Sequence, residues 1–313
     1  MFNHLSVASA FSFKYGTTQP HDLVARAAQF GAPALAITDR DSLAGVIRFV
    51  QAAKDFGIAP IVGVNLALDN SRVTLFAQSG TGTDSGWRSL CRLMSALRTD
   101  RNPPVLHLEK IKMLSEYTSN LILLHGPDSQ IANLITKHRP DQALHEFNKY
   151  RPYFADSVIE CVSHLAPGDG PRSTGHAGRM LGFARDHDLP AVITNGVRML
   201  DAADGPVADI LDAARKLVPL HKRHVERANN EAYLKDNQQM RDLADEISRA
   251  AGERNGRALL RTTQRIAERC ILSPQEFGLG GIELPEAQVV GVETYKEMRA
   301  LLRSRCESGL NWR

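Results

Sequence analysis

Residues 34–37 (Ala-Leu-Ala-Ile) form an unbroken apolar run that ends abruptly in the polar Thr38-Asp39-Arg40-Asp41-Ser42. The run reads as a buried strand. Residues 20–30 before it carry Leu23, Val24, Ala27 and Ala28 at helical spacing. Residues 43–56 read as a second helix and 58–64 as the next strand. Asp39 and Arg40 therefore sit where a strand meets the rim of an alternating β/α series, and in such folds chemistry gathers at that rim. An acid at that position is equally suited to capping the following helix. The alternation continues. Residues 2–9 are strand-like, with small Ser6, Ala8 and Ala10 on one face. Two strands over 58–68 and 72–77 are joined by the turn residues Asp69-Asn70-Ser71. A Gly/Ser/Thr loop over 79–86 leads to a helix over 87–97, the breaker Asn102-Pro103-Pro104 and a short helix over 106–113. Strands over 121–124, 157–162 and 191–194 alternate with helices over 132–150 (interrupted near Pro140) and 176–187. From residue 205 the pattern turns helical, over 206–217, 237–250 and 255–271. An irregular linker over 274–290 and a final amphipathic helix over 293–310 follow. This is an α/β pattern of the barrel or doubly wound kind.

Composition narrows the picture mainly by exclusion. A formal charge of +3 over 313 residues announces no global field for nucleic acid. The basic run 216–227 is diluted by Glu226 and suits a solvated surface, with phosphate contact as the alternative. Cys91, Cys161, Cys270 and Cys306 form no CxxC pair, which suits reduced thiols in a cytoplasmic protein. No apolar run approaches the ~18 residues of a membrane span. There is no phosphate loop, no dinucleotide fingerprint around Gly278-Leu279-Gly280-Gly281 and no GxSxG elbow. None of the eleven histidines falls in an HxH or HExxH arrangement, and His221/His224 lacks companion ligands. The acid pairs Asp39/Asp41 and Asp186/Asp188 lack the flanking strand that a two-metal polymerase site needs.

Several ordered blocks carry a family resemblance. The segment His4-Leu5-Ser6-Val7-Ala8-Ser9-Ala10-Phe11-Ser12 resembles the opening "HLHVHSxxS" of the PHP (polymerase and histidinol phosphatase) domain. Residues 22–63 are similar to the next PHP block, and Ile193-Thr194-Asn195-Gly196-Val197-Arg198 resembles its "ATNDVHY" strand. Residues 265–270, Arg-Ile-Ala-Glu-Arg-Cys, are similar to the "IAERC" helix of the bacterial DNA polymerase III alpha subunit. The blocks look closest to those of the error-prone, alpha-like type. The resemblance implies a distorted (β/α)7 PHP-type barrel over 1–204 and a helical extension over 205–272. It also implies a linker and helix over 273–313, at the threshold of a polymerase core that lies beyond. Active PHP domains hold up to three metal ions on His, Asp and Glu side chains and hydrolyse phosphoesters.

The departures from the motif set the expected function. Its two opening histidines fall on Ser6 and Ala8, and an aspartate on Tyr15. The histidine after Asp39 becomes Arg40, an acid becomes Asn65 and a further histidine falls near Arg72. The final Asp and His become Gly196 and Arg198. Asp39 alone remains, and it is expected to bridge to Arg40 or Arg198. The expectation is a degenerate pocket with no catalytic residue in this chain, no metal and no cofactor. Its role would be structural within an alpha-subunit-like DNA polymerase of replication or error-prone repair, with the polymerase core, DNA and accessory proteins as partners. Two alternatives are a metal-dependent phosphoesterase or 3′–5′ exonuclease, and an anion- or DNA-binding site using Arg40, Arg72 and Arg198 with Lys222 and Arg223.

Overall fold

Side chains on a strand alternate between its two faces, so the interior of this molecule can be read from strand phase. The computed structural model describes residues 1–80, 85–98, 104–225, 227–279 and 290–312. Its strands are β1 (Ala34–Arg40), β2 (Ala59–Leu68), β3 (Ser71–Ala77), β4 (Val105–Leu106), β5 (Leu121–His125), β6 (Asp156–Val162) and β7 (Ala191–Thr194). One face of these strands supplies Ala34, Ala36, Ile61, Phe76, Ile122, Leu124, Val158 and Val192 to a single buried cluster. The opposite face sends Leu35, Ile37, Val62, Val64, Leu75 and Leu123 outward against Leu23, Val24, Phe49 and Val50 of the first two helices, Pro20–Gln29 and Val46–Phe56. On the far side Ile159, Cys161 and Ile193 meet Ala177 and Met180 of the Thr174–Asp186 helix, and Met240, Leu243 and Ile247 of the Asn237–Ala250 helix.

The sheet runs β1-β2-β3-β5-β6-β7, with β4 pairing β2 to one side. The β1–β2, β5–β6 and β6–β7 pairs are parallel, whereas β3 is antiparallel to both neighbours. The fold is thus a distorted α/β barrel. Its closure comes from the N-terminal segment, expected as a strand but forming only isolated bridges, His4 to Leu35 and Val7 to Val197. The reason lies in its hydrogen bonds. His4 O and Val7 O accept from Ala36 N and Thr38 N of β1, while Ser6 O and Ala8 N bond Val197 just past β7. One short segment divides its backbone groups between two edges, so neither side grows into a ladder.

At the end where the parallel strands begin, Ile266, Ala267 and Cys270 of the Arg257–Cys270 helix join the interior cluster. Ile271 bridges Ile61 there, and Leu272 N donates to Pro60 O. That end is filled with apolar side chains. The strands' C-terminal ends form the mouth.

Most expected elements are present with shifted ends. The 132–150 helix is two helices, Gln130–Thr136 and Pro140–Tyr150. His138 takes a left-handed φ of 55° between them, and Pro140 starts the second helix, where its missing N–H is harmless. The short helix expected over 106–113 begins only at Leu108, because Val105 and Leu106 pair with Ala67 and Leu68 of β2. The 79–86 loop, the 102–104 breaker and the 274–290 linker fall in part outside the described residues.

By its contacts the chain divides into Met1–Phe277 and Gly278–Arg313. The first unit holds the sheet together with the helices Gly205–Lys216, Asn237–Ala250 and Arg257–Cys270. The second holds the helix Tyr295–Trp312, opened by a reciprocal cap in which Glu297 accepts from Glu293 N and Thr294 N while Thr294 Oγ1 accepts from Glu297 N. No described helix is long and apolar enough to cross a membrane.

Candidate functional site at the barrel mouth

The inward phase that buries Ala34 and Ala36 continues to Thr38 and Arg40. From Ile61 it reaches Asn65, from Phe76 it passes Thr74 to Arg72, and from Val158 it reaches Glu160. These residues line a mouth cavity of about 50 Å³, together with Ser6, Ala8, Tyr15, Gly126, Asp128, Arg172 and Gly196. An adjoining cavity of about 360 Å³ shares Tyr15, Arg40, Asp128 and Arg172 and adds His164, Arg198, Arg215, Arg227 and Asn229. Of the residues singled out from sequence, Ser6, Ala8, Tyr15, Arg40, Asn65, Arg72 and Gly196 meet in the mouth, and Arg198 lines the neighbouring cavity. Lys222 and Arg223 lie on an exposed 3-10 turn and line neither.

Asp39 is one residue out of phase and does not line the mouth. The expected bridge to Arg40 or Arg198 is replaced by a serine cradle. Ser9 N and Ser12 Oγ donate to Asp39 Oδ1 at 2.6 and 2.7 Å, and Ser9 Oγ donates to Oδ2 at 2.8 Å. Burial pushes this carboxyl above its ordinary range, against the pull of the Ser12 and Ser9 hydrogen bonds. Asp39 fastens the 9–12 turn to the end of β1.

Each arginine has a distinct setting. Arg72 donates to Asp41 Oδ1 (2.8 Å), Asn65 Oδ1 (2.7 Å) and Asn65 O (2.8 Å). Arg172 Nη2 alone donates to both oxygens of Asp128, at 2.8 and 2.7 Å. Arg198 forks onto Asp212 at 3.0 and 3.1 Å and also donates to Tyr15 O. Asp212, on the Gly205–Lys216 helix, is 1% exposed and takes a further bond from Arg215. Arg40 stands apart. Its guanidinium lies 3.3 Å from the centre of the Tyr15 ring, which Arg198 also approaches at 4.2 Å. The nearest carboxylate to Arg40 is Asp128 at 4.0 Å.

Sequence reasoning passed over Glu160, Arg172 and Asp212. Glu160 had a signal, an acid inside the otherwise apolar run of β6. It is buried, and its Oε1 accepts from Thr194 Oγ1 at 2.6 Å. Burial raises its pKa, against hydrogen bonds from Thr194 and Ser6. Gly126 makes room for it, since a Cβ there would stand 2.0 Å from Glu160 Oε2. Gly126→Ala is therefore expected to push Glu160 off Thr194 and to destabilise the fold by about 1–3 kcal/mol, measured by urea denaturation. An unchanged midpoint would show that the Glu160 side chain is free to swing aside.

A family model described as PHP domain matches residues 4–164, just over half of the chain. The chain belongs to the PHP family. Its relatives include the error-prone DNA polymerase of Symbiobacterium thermophilum, 32% identical over 288 residues, with 86% of this chain and 25% of that protein covered. DNA polymerase III subunit alpha of Buchnera aphidicola is 29% identical over 331 residues, covering 97% of this chain and 26% of that protein. This PHP chain thus spans about a quarter of the length of those relatives. A solved structure described as a metal-dependent phosphoesterase, from Bifidobacterium adolescentis, is 13% identical, with a TM-score of 0.42 over 62% of this chain and 86% of that one.

The metal ions that the PHP resemblance implies meet an unsuitable donor set here. Among the described residues, no three His, Cys, Asp or Glu side chains converge so as to hold an ion. Of the acids at this PHP mouth, Asp128 is paired to Arg172, and Glu160 is biased by burial toward its protonated form. Arg40 and Arg72 add positive charge in the same small space, which opposes a cation.

Proposed function

We propose that this chain is the PHP portion of a DNA polymerase III alpha-like protein of the error-prone type, working as a structural barrel without a bound metal. Its service is to DNA replication or repair synthesis, its nearest partner is a polymerase core, and a cytoplasmic setting goes with that reading. The observation that carries the proposal is the mouth itself, where arginines paired to Asp41, Asp128 and Asp212 stand in and around the space in which the family gathers metal ligands. Such pairs cross-link strand ends to loops and to the Gly205–Lys216 helix, a mechanical role that an ion would otherwise serve. Elemental analysis and calorimetric titration with Mn²⁺ and Zn²⁺ test the reading. No stoichiometric metal is expected, and no release of nucleotides from single-stranded DNA. A tightly bound ion together with nuclease activity would overturn the proposal in favour of a PHP phosphoesterase.

A further inference from the structure

The helix Gly205–Lys216 inverts the usual amphipathic arrangement. Its buried residues are Gly205, Ala208, Asp212 and Ala213, so small side chains and one ion-paired carboxylate meet the body of the molecule. Its larger aliphatic side chains point outward, with Val207 46% and Ile210 53% exposed. Together with Leu211 and Ala214 they recur at i, i+3, i+4 and i+7, which makes one stripe along the helix. Leu217 extends it just past the last turn, 86% exposed and held at a left-handed φ of 55°. From Val207 to Leu217 the stripe runs roughly 15 Å at helical rise. Lys14 ties a further apolar group to it. Its Nζ donates to Ala214 O at 3.3 Å and lies 5.3 Å from the centre of the exposed Phe13 ring. Scattered exposed apolar residues need no explanation, but a contiguous stripe marks a surface that something covers.

The rim of the stripe is basic. Lys14 stands beside it, and Lys222 and Arg223 follow the exposed Leu220 on the 3-10 turn after the helix. Among the described residues neither Lys222 nor Arg223 is in an ion pair. The acids within the helix are already committed, Asp209 to Arg227 and Asp212 to Arg198 and Arg215. An apolar strip with a cationic rim selects its occupant. Nucleic acid would satisfy the cations and leave the strip unburied, and a second copy would bring the same cations against themselves. We propose that this face docks an acidic amphipathic helix of a separate protein partner, its apolar residues on the strip and its carboxylates against Lys14, Lys222 and Arg223. The inference uses neither the metal-free reading of the mouth nor the polymerase relationship.

The probe is a fluorescein-labelled synthetic peptide of about 18 residues, long enough to hold a helix alone. It carries leucines at i, i+3, i+4 and i+7 with glutamates on either side, and a control peptide replaces every glutamate by lysine. Anisotropy titration with the full chain is expected to give a Kd of about 100 μM or tighter for the acidic peptide and about tenfold weaker binding, or less, for the basic one. Ile210→Glu should weaken the acidic peptide by about tenfold or more. Lys222→Glu with Arg223→Glu should weaken it by about fivefold and flatten its salt dependence. Urea midpoints confirm that the variants fold, and Val207→Ser serves should Ile210→Glu not do so. No binding at about 0.5 mM protein would overturn the proposal. So would equal affinity for the two peptides, or an affinity indifferent to Ile210. Sedimentation showing a dimer that Ile210→Glu dissolves would overturn it in favour of a second copy. Binding to phosphatidylserine vesicles that Ile210→Glu abolishes would overturn it in favour of a lipid surface. Metal uptake defeats only the reading of the mouth, whereas absent peptide binding without metal uptake defeats only this inference.

Discussion

Asp212→Ala is expected to lower the stability of the barrel by about 3–5 kcal/mol, the range for removing one partner of a buried ion pair. Asp212 is 1% exposed, and its carboxylate receives a two-pronged bond from Arg198 and a third bond from Arg215. Truncation leaves the Arg198 guanidinium buried with only the Tyr15 carbonyl and ring for company. Its Nε has no partner even in the intact protein, so little slack exists for rearrangement. The loss should appear as a lower urea midpoint at unchanged slope. A double change, Asp212→Leu with Arg198→Met, should recover much of it, because the penalty comes chiefly from the orphaned charge. A loss in Asp212→Ala below about 1 kcal/mol would mean that water reaches Arg198 and that the pair contributes little. Acid should weaken the same pair. Burial opposes ionisation of Asp212, but hydrogen bonds from Arg198 and Arg215 hold its carboxyl below the usual range. A depressed carboxylate pKa contributes stability that is present above the unfolded value and disappears as pH falls through the folded one.

The alternating strands and helices were legible because burial imposes its period on sequence. The run 34–37 marked β1 correctly, although the strand extends to Arg40. Its last three residues are polar because they leave the apolar layer for the mouth. Phase was the harder matter. Thr38 and Arg40 face the cavity, and Asp39 between them faces the 9–12 turn, so the family motif located the segment but not the side to which its acid points. The partners of Arg72, Arg172 and Arg198 were hidden for a different reason. Asp41, Asp128 and Asp212 lie 31, 44 and 14 positions away in sequence, and only chain closure brings them together. Residues 2–9 read as a strand by composition, yet serving two edges at once makes them a clasp.

The remaining large effect is acid sensitivity. Below pH 6.5 the stability of this barrel is expected to fall with pH, because four histidines, His4, His125, His164 and His176, are buried with their pKa values lowered by that burial. Burial lowers His4 to about 4, with the charge of Lys235 adding to it and a bond to Lys235 O opposing it. Burial alone lowers His125 to about 3. Burial likewise takes His164 to about 4, against its bond to Asn195 O. As pH falls through 6.5 the unfolded chain takes up protons that the folded chain refuses, so stability decreases by about 1.4 kcal/mol per pH unit for each such group. Asp39 and Glu160 act in the opposite sense. Their folded pKa values are raised, so the folded state keeps protons that the unfolded chain releases, and acid favours folding there. Two groups cannot offset four, and a net fall of at least about 1.4 kcal/mol per pH unit is expected between pH 6 and 4.5. His125→Leu isolates one contribution. His125 packs against Phe147 with ring centres 5.3 Å apart, and its Nε2 is buried without a partner, so leucine removes an unsatisfied polar atom along with the proton site. Urea midpoints across pH should show this variant at least as stable as the parent at pH 7.5, with its acid slope reduced by about 1.4 kcal/mol per pH unit. An unaltered slope would mean that His125 is already solvated and protonated in the native barrel.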